Sequence, residues 1–241
     1  MNNLELNKIY CESNLETMAK MPDNFIDYVL TSPPYNVGYN EMNGQNTAKY
    51  KEYDDKLDNY FENQKCLIDE LLRVTKNHIF YNIQMLGNNK LDFLNLMGHF
   101  RNNIKDIIIW QKNMIPHIEP GVISSAFEFI IIFSNQSPDK KKFYDGNFKG
   151  NFSNIIKTLN PHSNPFAKQH KAIMPLDIAR IFMQKFGNEN DVWYDPYMGT
   201  GTTAVSAIEE KKLWVGSEIS KEYVEIANKR LEPYLTQQTL F

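Results

Sequence analysis

Six consecutive residues, Thr31-Ser32-Pro33-Pro34-Tyr35-Asn36, follow an apolar run at Phe25–Leu30. Proline has no backbone N–H to give to a ladder, so two in succession force the chain out of a sheet as a stiff, extended loop. That stiffness holds the Ser32 hydroxyl, the Pro33 carbonyl and the Tyr35 ring in fixed relation to the strand end. A hydroxyl and a rigid carbonyl can together accept the two N–H hydrogens of an aromatic amine. The amine is a poor nucleophile because its lone pair is delocalised into the ring, and two such acceptors favour a pyramidal nitrogen with the lone pair exposed. A tyrosine face adds about 1–3 kcal/mol of sequence-tolerant stacking on a base. Taken alone, the segment fits an ordinary strand-terminating turn with a packed tyrosine equally well.

A second segment, Asp195-Pro196-Tyr197-Met198-Gly199-Thr200-Gly201-Thr202-Thr203, lies between a predicted strand at Val192–Asp195 and a predicted helix at Thr202–Glu210. Gly199 and Gly201 have no Cβ, so the backbone can turn sharply and approach a ligand closely. The next predicted strand, Leu213–Glu218, ends in a carboxylate at roughly the 20-residue offset where such folds present one to ribose hydroxyls. Neither a complete G-x-G-x-x-G nor the Lys-Ser/Thr pair of a phosphate-binding loop is present. A lone G-x-G turn is more often structural. With its strand, its helix and Glu218 it reads as a nucleoside site.

These segments need a scaffold. Apolar runs at Phe25–Leu30, His78–Ile83, Asp106–Trp110, Phe127–Phe133, Val192–Tyr194 and Leu213–Gly216 are strand candidates. Helical faces are formed by Leu57, Tyr60, Phe61, Leu67, Leu71 and Val74, by Ile173, Leu176, Ile178, Ile181 and Phe182, and by Tyr223, Ile226, Ala227 and Leu231, the last with Ser220 as its N-cap. Alternating strands and helices predict a doubly wound α/β domain over residues 1–241 with a largely parallel sheet. Two stretches fit this alternation poorly. Residues 38–55 are polar and read as a mobile loop. Residues 135–169, within an insert read over 112–169, are irregular and interleave Lys140, Lys141, Lys142 and Lys149 with Phe143, Tyr144, Phe148 and Phe152. That mixture suits phosphate contact and base stacking, or equally a solvated loop anchored by its aromatics.

Composition narrows the function classes. No apolar run approaches the roughly 20 residues needed to span a bilayer, and the N-terminus lacks the pattern of a secretory signal, so a cytoplasmic protein with no membrane role is expected. Cys11 and Cys66 are too few for a disulfide scaffold and read as buried small apolar residues. The five histidines form no metal-binding pattern, and no metal is expected. A formal net charge of −3 requires any nucleic-acid enzyme to gather its lysines on one face.

Ser32-Pro33-Pro34-Tyr35 and Asp195–Thr202 resemble the two signature motifs of the amino-methyltransferases that act on cytosine N4 or adenine N6 in DNA, found in bacterial restriction-modification systems and as solitary enzymes. The catalytic motif precedes the cofactor motif, which resembles the family's β arrangement with the recognition insert between them. Lys8–Pro34, Asp106–Ser134 and His170–Pro175 are similar to further family segments. The resemblance implies a Rossmann-like seven-stranded sheet and S-adenosylmethionine as methyl donor. It implies Ser32, Pro33, Pro34 and Tyr35 at the catalytic centre, and Asp195, Tyr197, Gly199, Thr200, Gly201, Thr202 and Glu218 around the cofactor, with Glu218 on the ribose. It also implies double-stranded DNA as substrate, with a cognate restriction endonuclease and a second copy of the chain as further partners. Three departures stand out: Glu12-Ser13-Asn14 where many relatives have an acidic residue contacting the cofactor's adenine amine, Tyr197 where phenylalanine is common, and a short insert.

Serine at the first motif position is commoner among the cytosine N4 enzymes, so the reading is site-specific cytosine N4 methylation of a base flipped from the duplex. Adenine N6 is the alternative, followed by RNA or protein glutamine as substrate and by an inactive DNA-binding subunit. Neither cysteine lies in a Pro-Cys context, which disfavours a thiol nucleophile.

Overall fold

The computed structural model describes residues 4–36, 59–112, 120–121, 123, 125–136, 142–144, 146, 152–158 and 174–238. The loop expected at 38–55 lies outside them, as do Lys140, Lys141, Lys149 and Leu57. In chain order the elements are β1 (Lys8–Tyr10), α1 (Asn14–Met18), β2 (Ile26–Thr31), α2 (Tyr60–Val74), β3 (Thr75–Ile83), α3 (Lys90–His99), β4 (Ile104–Gln111), β5 (Phe127–Ser134), β6 (Ile155–Lys157), α4 (Leu176–Lys185), β7 (Val192–Asp195), α5 (Thr202–Glu209), β8 (Leu213–Ser217) and α6 (Lys221–Gln238).

One sheet joins the strands in the order β1-β8-β7-β2-β3-β5-β4-β6. All neighbouring pairs are parallel except those of β5, which runs antiparallel to both β3 and β4. Seven strands were expected and eight are present among the described residues. The addition is β6, three residues from the stretch read as irregular insert, paired with the outer side of β4. Phe127–Ser134, also inside 112–169, is an interior strand of the sheet.

Side-chain alternation along the central strands builds two cores. Tyr28, Leu30, Phe80 and Trp193 pack with Ile178 and Phe182 of α4, Val205 of α5 and Leu231 of α6. Val29, Ile79, Tyr81 and Tyr194 pack on the other face with Met18 of α1, Leu67 and Leu71 of α2 and Leu96 of α3. Central strands apolar on both faces are what a sheet covered twice requires. One expectation fails here: Cys11 and Cys66 are free and exposed, not buried. Cys66 belongs to the outer face of α2, whose inward positions are Gln64, Leu67, Ile68 and Leu71.

The topology decides where chemistry can occur. Because β2 and β7 are adjacent and parallel, with Tyr28 opposite Trp193 and Val29 opposite Tyr194, the proline loop and the glycine turn leave the sheet side by side at its carboxyl edge. Ligands of open α/β sheets bind at such an edge, where the chain departs to opposite sides. Being antiparallel, β5 brings its N-terminal end to this same edge.

Candidate active site

The glycine turn is held chiefly from within its own βαβ unit. Asp195 ends β7 almost fully buried; its Oδ1 accepts the Tyr197 N–H at 3.0 Å and its Oδ2 accepts the Thr203 hydroxyl at 2.6 Å. Burial pushes its carboxyl up to about 6, and the two donors act in the opposite direction. Gly199 and Gly201 adopt φ of +51° and +84°, where glycine is the favoured residue. A Cβ on Gly201 would stand 3.2 Å from Ala227 Cβ of α6, whereas one on Gly199 would meet nothing nearer than 3.9 Å. Glu218, just beyond β8, closes the turn: Oε2 accepts the Gly199 N–H at 2.9 Å and Oε1 the Ser220 N–H at 2.8 Å. Burial raises the Glu218 carboxyl as well, against the pull of those N–H donors.

α5 starts on Gly201 with no side-chain cap and no acidic residue in its first turn. Its positive dipole end is therefore uncompensated and suited to an anion. Arg230 of α6 reinforces this from beneath, donating to the Thr200 carbonyl and to Thr202 Oγ1, each at 3.1 Å. A guanidinium can only donate, so the Thr202 hydroxyl must direct its own hydrogen elsewhere. The N-terminus of α1 borders the same turn. Ser13, where many relatives have an acidic residue, is spent on a capping box with Glu16, and the neighbouring Asn14 side chain donates to the Pro196 carbonyl at 3.5 Å.

The proline loop is held by distant parts of the chain. Tyr60 of α2 donates to the Pro34 carbonyl at 2.8 Å, and Asn89, preceding α3, donates to the Tyr35 carbonyl at 2.8 Å. Asn36 takes the left-handed conformation, φ +58°, that asparagine tolerates. Side chains complete the arrangement. The Tyr35 hydroxyl donates to Glu128 Oε2 at 2.8 Å, lies 3.0 Å from Ser32 Oγ and accepts from Asn82 Nδ2 at 2.7 Å. Asn82 Nδ2 also reaches Glu128 Oε2 at 2.7 Å and Ser32 Oγ at 3.3 Å. Lys112 pairs with the other oxygen of Glu128 at 2.5 Å. Burial and the adjoining Glu128 carboxylate push the Tyr35 hydroxyl well above its ordinary range.

Ser32, Pro33, Pro34 and Tyr35 thus sit beside Asp195, Tyr197, Gly199, Thr200, Gly201, Thr202 and Glu218 at one edge of the sheet. Sequence reading missed Asn82, Lys112, Glu128 and Arg230. Glu128 carried a usable signal, since it is the one charge in the run Phe127-Glu128-Phe129-Ile130-Ile131-Ile132-Phe133, where an unpaired charge would be costly. Of the insert residues, Lys142 is exposed with Nζ 5.3 Å from the Tyr144 ring centroid. Phe143 and Phe152 pack edge-on against Phe186, which makes these two aromatics anchors to the core.

The fold and the paired motifs at its edge define a nucleoside-cofactor α/β enzyme of the methyltransferase type. Solved structures share that fold. The cytosine-N4-specific PvuII DNA methyltransferase superposes with a TM-score of 0.71 at 16% identity over 92% of this chain and 85% of its own. M1.HpyAVI, solved as a complex with S-adenosylmethionine, gives 0.62 at 19% identity over 93% and 99%. The family model described as DNA methylase, covering N6 and N4 enzymes, matches residues 26–229, and the chain belongs to this family. It is 29% identical to the orphan methyltransferase M.BamHII of Bacillus amyloliquefaciens, over 88% of this chain and 91% of the relative. It is 27% identical to the type II methyltransferase M.BglII of Bacillus subtilis, over 92% and 68%. Among the described residues no helix is long and apolar enough to cross a membrane.

Proposed function

We propose that this DNA methyltransferase transfers a methyl group from S-adenosylmethionine to the N4 amine of cytosine in duplex DNA, with the target base flipped into the site. The residues present suit that cofactor. Open space beside Gly199 admits a ligand against the backbone, and the α5 N-terminus with Arg230 behind it favours a carboxylate such as that of the methionine moiety. Gly199, Thr200, Gly201 and Thr202 would hold that moiety, Glu218 the ribose diol through lone pairs left over from its two loop contacts, and Tyr197 would offer an aromatic face. Asp195, with both oxygens engaged by the turn, supports the site from below. The bound cofactor supplies an electrophilic methyl carbon on a sulfonium.

The observation that carries the amine reading is the balance of donors and acceptors around Ser32. Tyr35 has one hydrogen, which Glu128 takes, so in the Ser32–Tyr35 pair the serine must be the donor. Ser32 Oγ then offers lone pairs to a substrate. The carbonyls of Pro34 and Tyr35 are occupied, while that of Pro33 has no donor among the described residues. Asn82 Oδ1 is buried and likewise lacks a donor among them. Acceptors without donors fit an NH₂ group. Ser32 at the head of the motif supports cytosine over adenine. Lys142, with Lys140, Lys141 and Lys149, would contact DNA phosphates, which position the duplex without reading its sequence.

Nucleoside mass spectrometry of DNA from cells expressing the chain tests this directly. N4-methylcytosine is expected. N6-methyladenine would move the assignment to the other base, and the absence of both, with no tritiated methyl entering DNA in vitro, would overturn it.

A further inference from the structure

We propose that Glu128 is a positioning residue for methyl transfer, acting through a hydrogen-bonded chain from Ser32 Oγ through the Tyr35 hydroxyl to Glu128 Oε2. The proposal rests on the amine reading above and goes beyond it by naming what makes Ser32 an acceptor.

The geometry leaves little freedom in where the hydrogens lie. Glu128 is almost fully buried at the N-terminal end of β5, with Lys112 on Oε1 and the Tyr35 hydroxyl on Oε2. Lys112 is the charged side chain facing it among the described residues. The paired strands fix this placement: Trp110 lies opposite Glu128 across β4, and Asn82 lies opposite Ile130 across β3, so positions 82 and 128 are diagonal neighbours on one face of the sheet. Asn82 Nδ2 has two hydrogens and three acceptors within reach. The two at 2.7 Å, Tyr35 and Glu128, claim them, and Ser32 Oγ at 3.3 Å is left with its lone pairs open. Every hydrogen in the chain therefore points away from Ser32 and toward the carboxylate. A hydroxyl free to rotate can turn its hydrogen toward an incoming amine instead of a lone pair. Here the fixed negative end prevents that before the substrate arrives, which is the kind of preorganisation that lowers a barrier.

The chain also accounts for the proton that the product must shed. As the amine nitrogen gains its methyl group it becomes positively charged, and one N–H proton passes to Ser32 Oγ. The serine's own hydrogen passes to Tyr35 Oη, and the tyrosine's to Glu128 Oε2. Ser32 and Tyr35 end unchanged, and Glu128 ends as the neutral acid.

Single-turnover transfer of tritiated methyl groups into unmethylated bacterial DNA, measured for the wild type, Glu128→Gln, Tyr35→Phe and the double variant, tests the chain. Binding of S-adenosylhomocysteine by calorimetry and thermal melting serve as readouts independent of turnover. Glu128→Gln keeps an acceptor for Tyr35 but removes the charge, and Tyr35→Phe keeps the ring but removes the link. Each is expected to slow transfer by about a hundredfold or more, in the range of a lost proton acceptor. The KM for DNA and the S-adenosylhomocysteine affinity should stay as in the wild type. The double variant should be no slower than the slower single, because one chain can be broken only once.

Wild-type rates in Glu128→Gln, losses that multiply in the double variant, or an effect confined to KM would each overturn the proposal while leaving amine methylation standing. Should Glu128→Gln not fold, Tyr35→Phe decides alone, and a wild-type rate there overturns the chain. A wild-type protein that places no methyl on DNA amines overturns the reading and the chain together.

Discussion

The two loops at the carboxyl edge of the sheet are built by opposite means. The glycine turn draws most of its restraints from its own neighbourhood: Asp195, Thr203, Glu218 and Arg230 belong to the βαβ unit or the helix behind it, whereas the long contact of Asn14 to the Pro196 carbonyl comes from far along the chain. The proline loop is stiff by covalent structure, yet its polar groups are held by α2, β3, the approach to α3, and β5, up to 93 positions away along the chain. A ligand gripped largely by backbone atoms can be accommodated by local geometry. A proton held at one particular oxygen needs side chains converging from several directions.

Substitutions can separate the two. Ser32→Ala should give the largest effect, slowing transfer by about a hundredfold or more while leaving cofactor binding intact, because it removes the amine acceptor and no part of the turn. Rapid-quench assays with calorimetry check this, and equal losses of rate and cofactor affinity would erase the distinction between the loops.

Next comes the pH response of the turn. The folded protein holds Asp195 at about 6 against an ordinary 3.8, so protonation is favoured in the folded state. Its contribution to stability is fully present below the unfolded value and is lost as pH rises through about 6. Relative to Asp195→Asn, the wild type should lose up to about 3 kcal/mol between pH 4 and 7. Denaturant melts at several pH values test it, and parallel curves for the two proteins would sink it.

Glu218→Ala should weaken S-adenosylmethionine binding about tenfold to a hundredfold, since both turn N–H contacts to a charged group are lost along with the ribose acceptor. Unchanged calorimetric affinity would refute that role. The smallest effect is expected for Arg230→Met. Removing the cation beneath Thr200 and Thr202 should weaken cofactor binding about tenfold and lower the melting temperature, with the transfer rate at saturating cofactor preserved. A rate loss at saturation would tie Arg230 to the proline loop, from which its contacts separate it.

Legibility followed the same division. All six apolar runs became strands, since a doubly covered sheet needs strands apolar on both faces. Ser220 receives the Tyr223 N–H at 3.4 Å, as its N-cap assignment required. Residues Lys90–His99 gave little periodic signal, with Leu91 and Leu94 exposed beside buried Phe93 and Leu96, and that helix was not anticipated. β6 is three residues long with one buried position, too short for alternation to announce it. Glu218 was legible because its offset from the glycine turn is a local property of a βαβ unit. Arg230, on the following helix and in no motif, was not.

The pair of stiff or sharply turning loops, with residue types suited to a nucleoside ligand and an amine, is written into two short segments of the chain. Proline, glycine and short-range spacing act through covalent geometry, which requires no partner. That the two loops lie side by side, that an antiparallel strand brings Glu128 to them, and that Ser32 donates to Tyr35 rather than to a ligand emerges from the assembled sheet alone. Those follow from strand order and register, which are set by burial over the whole sheet and leave no trace in any single segment.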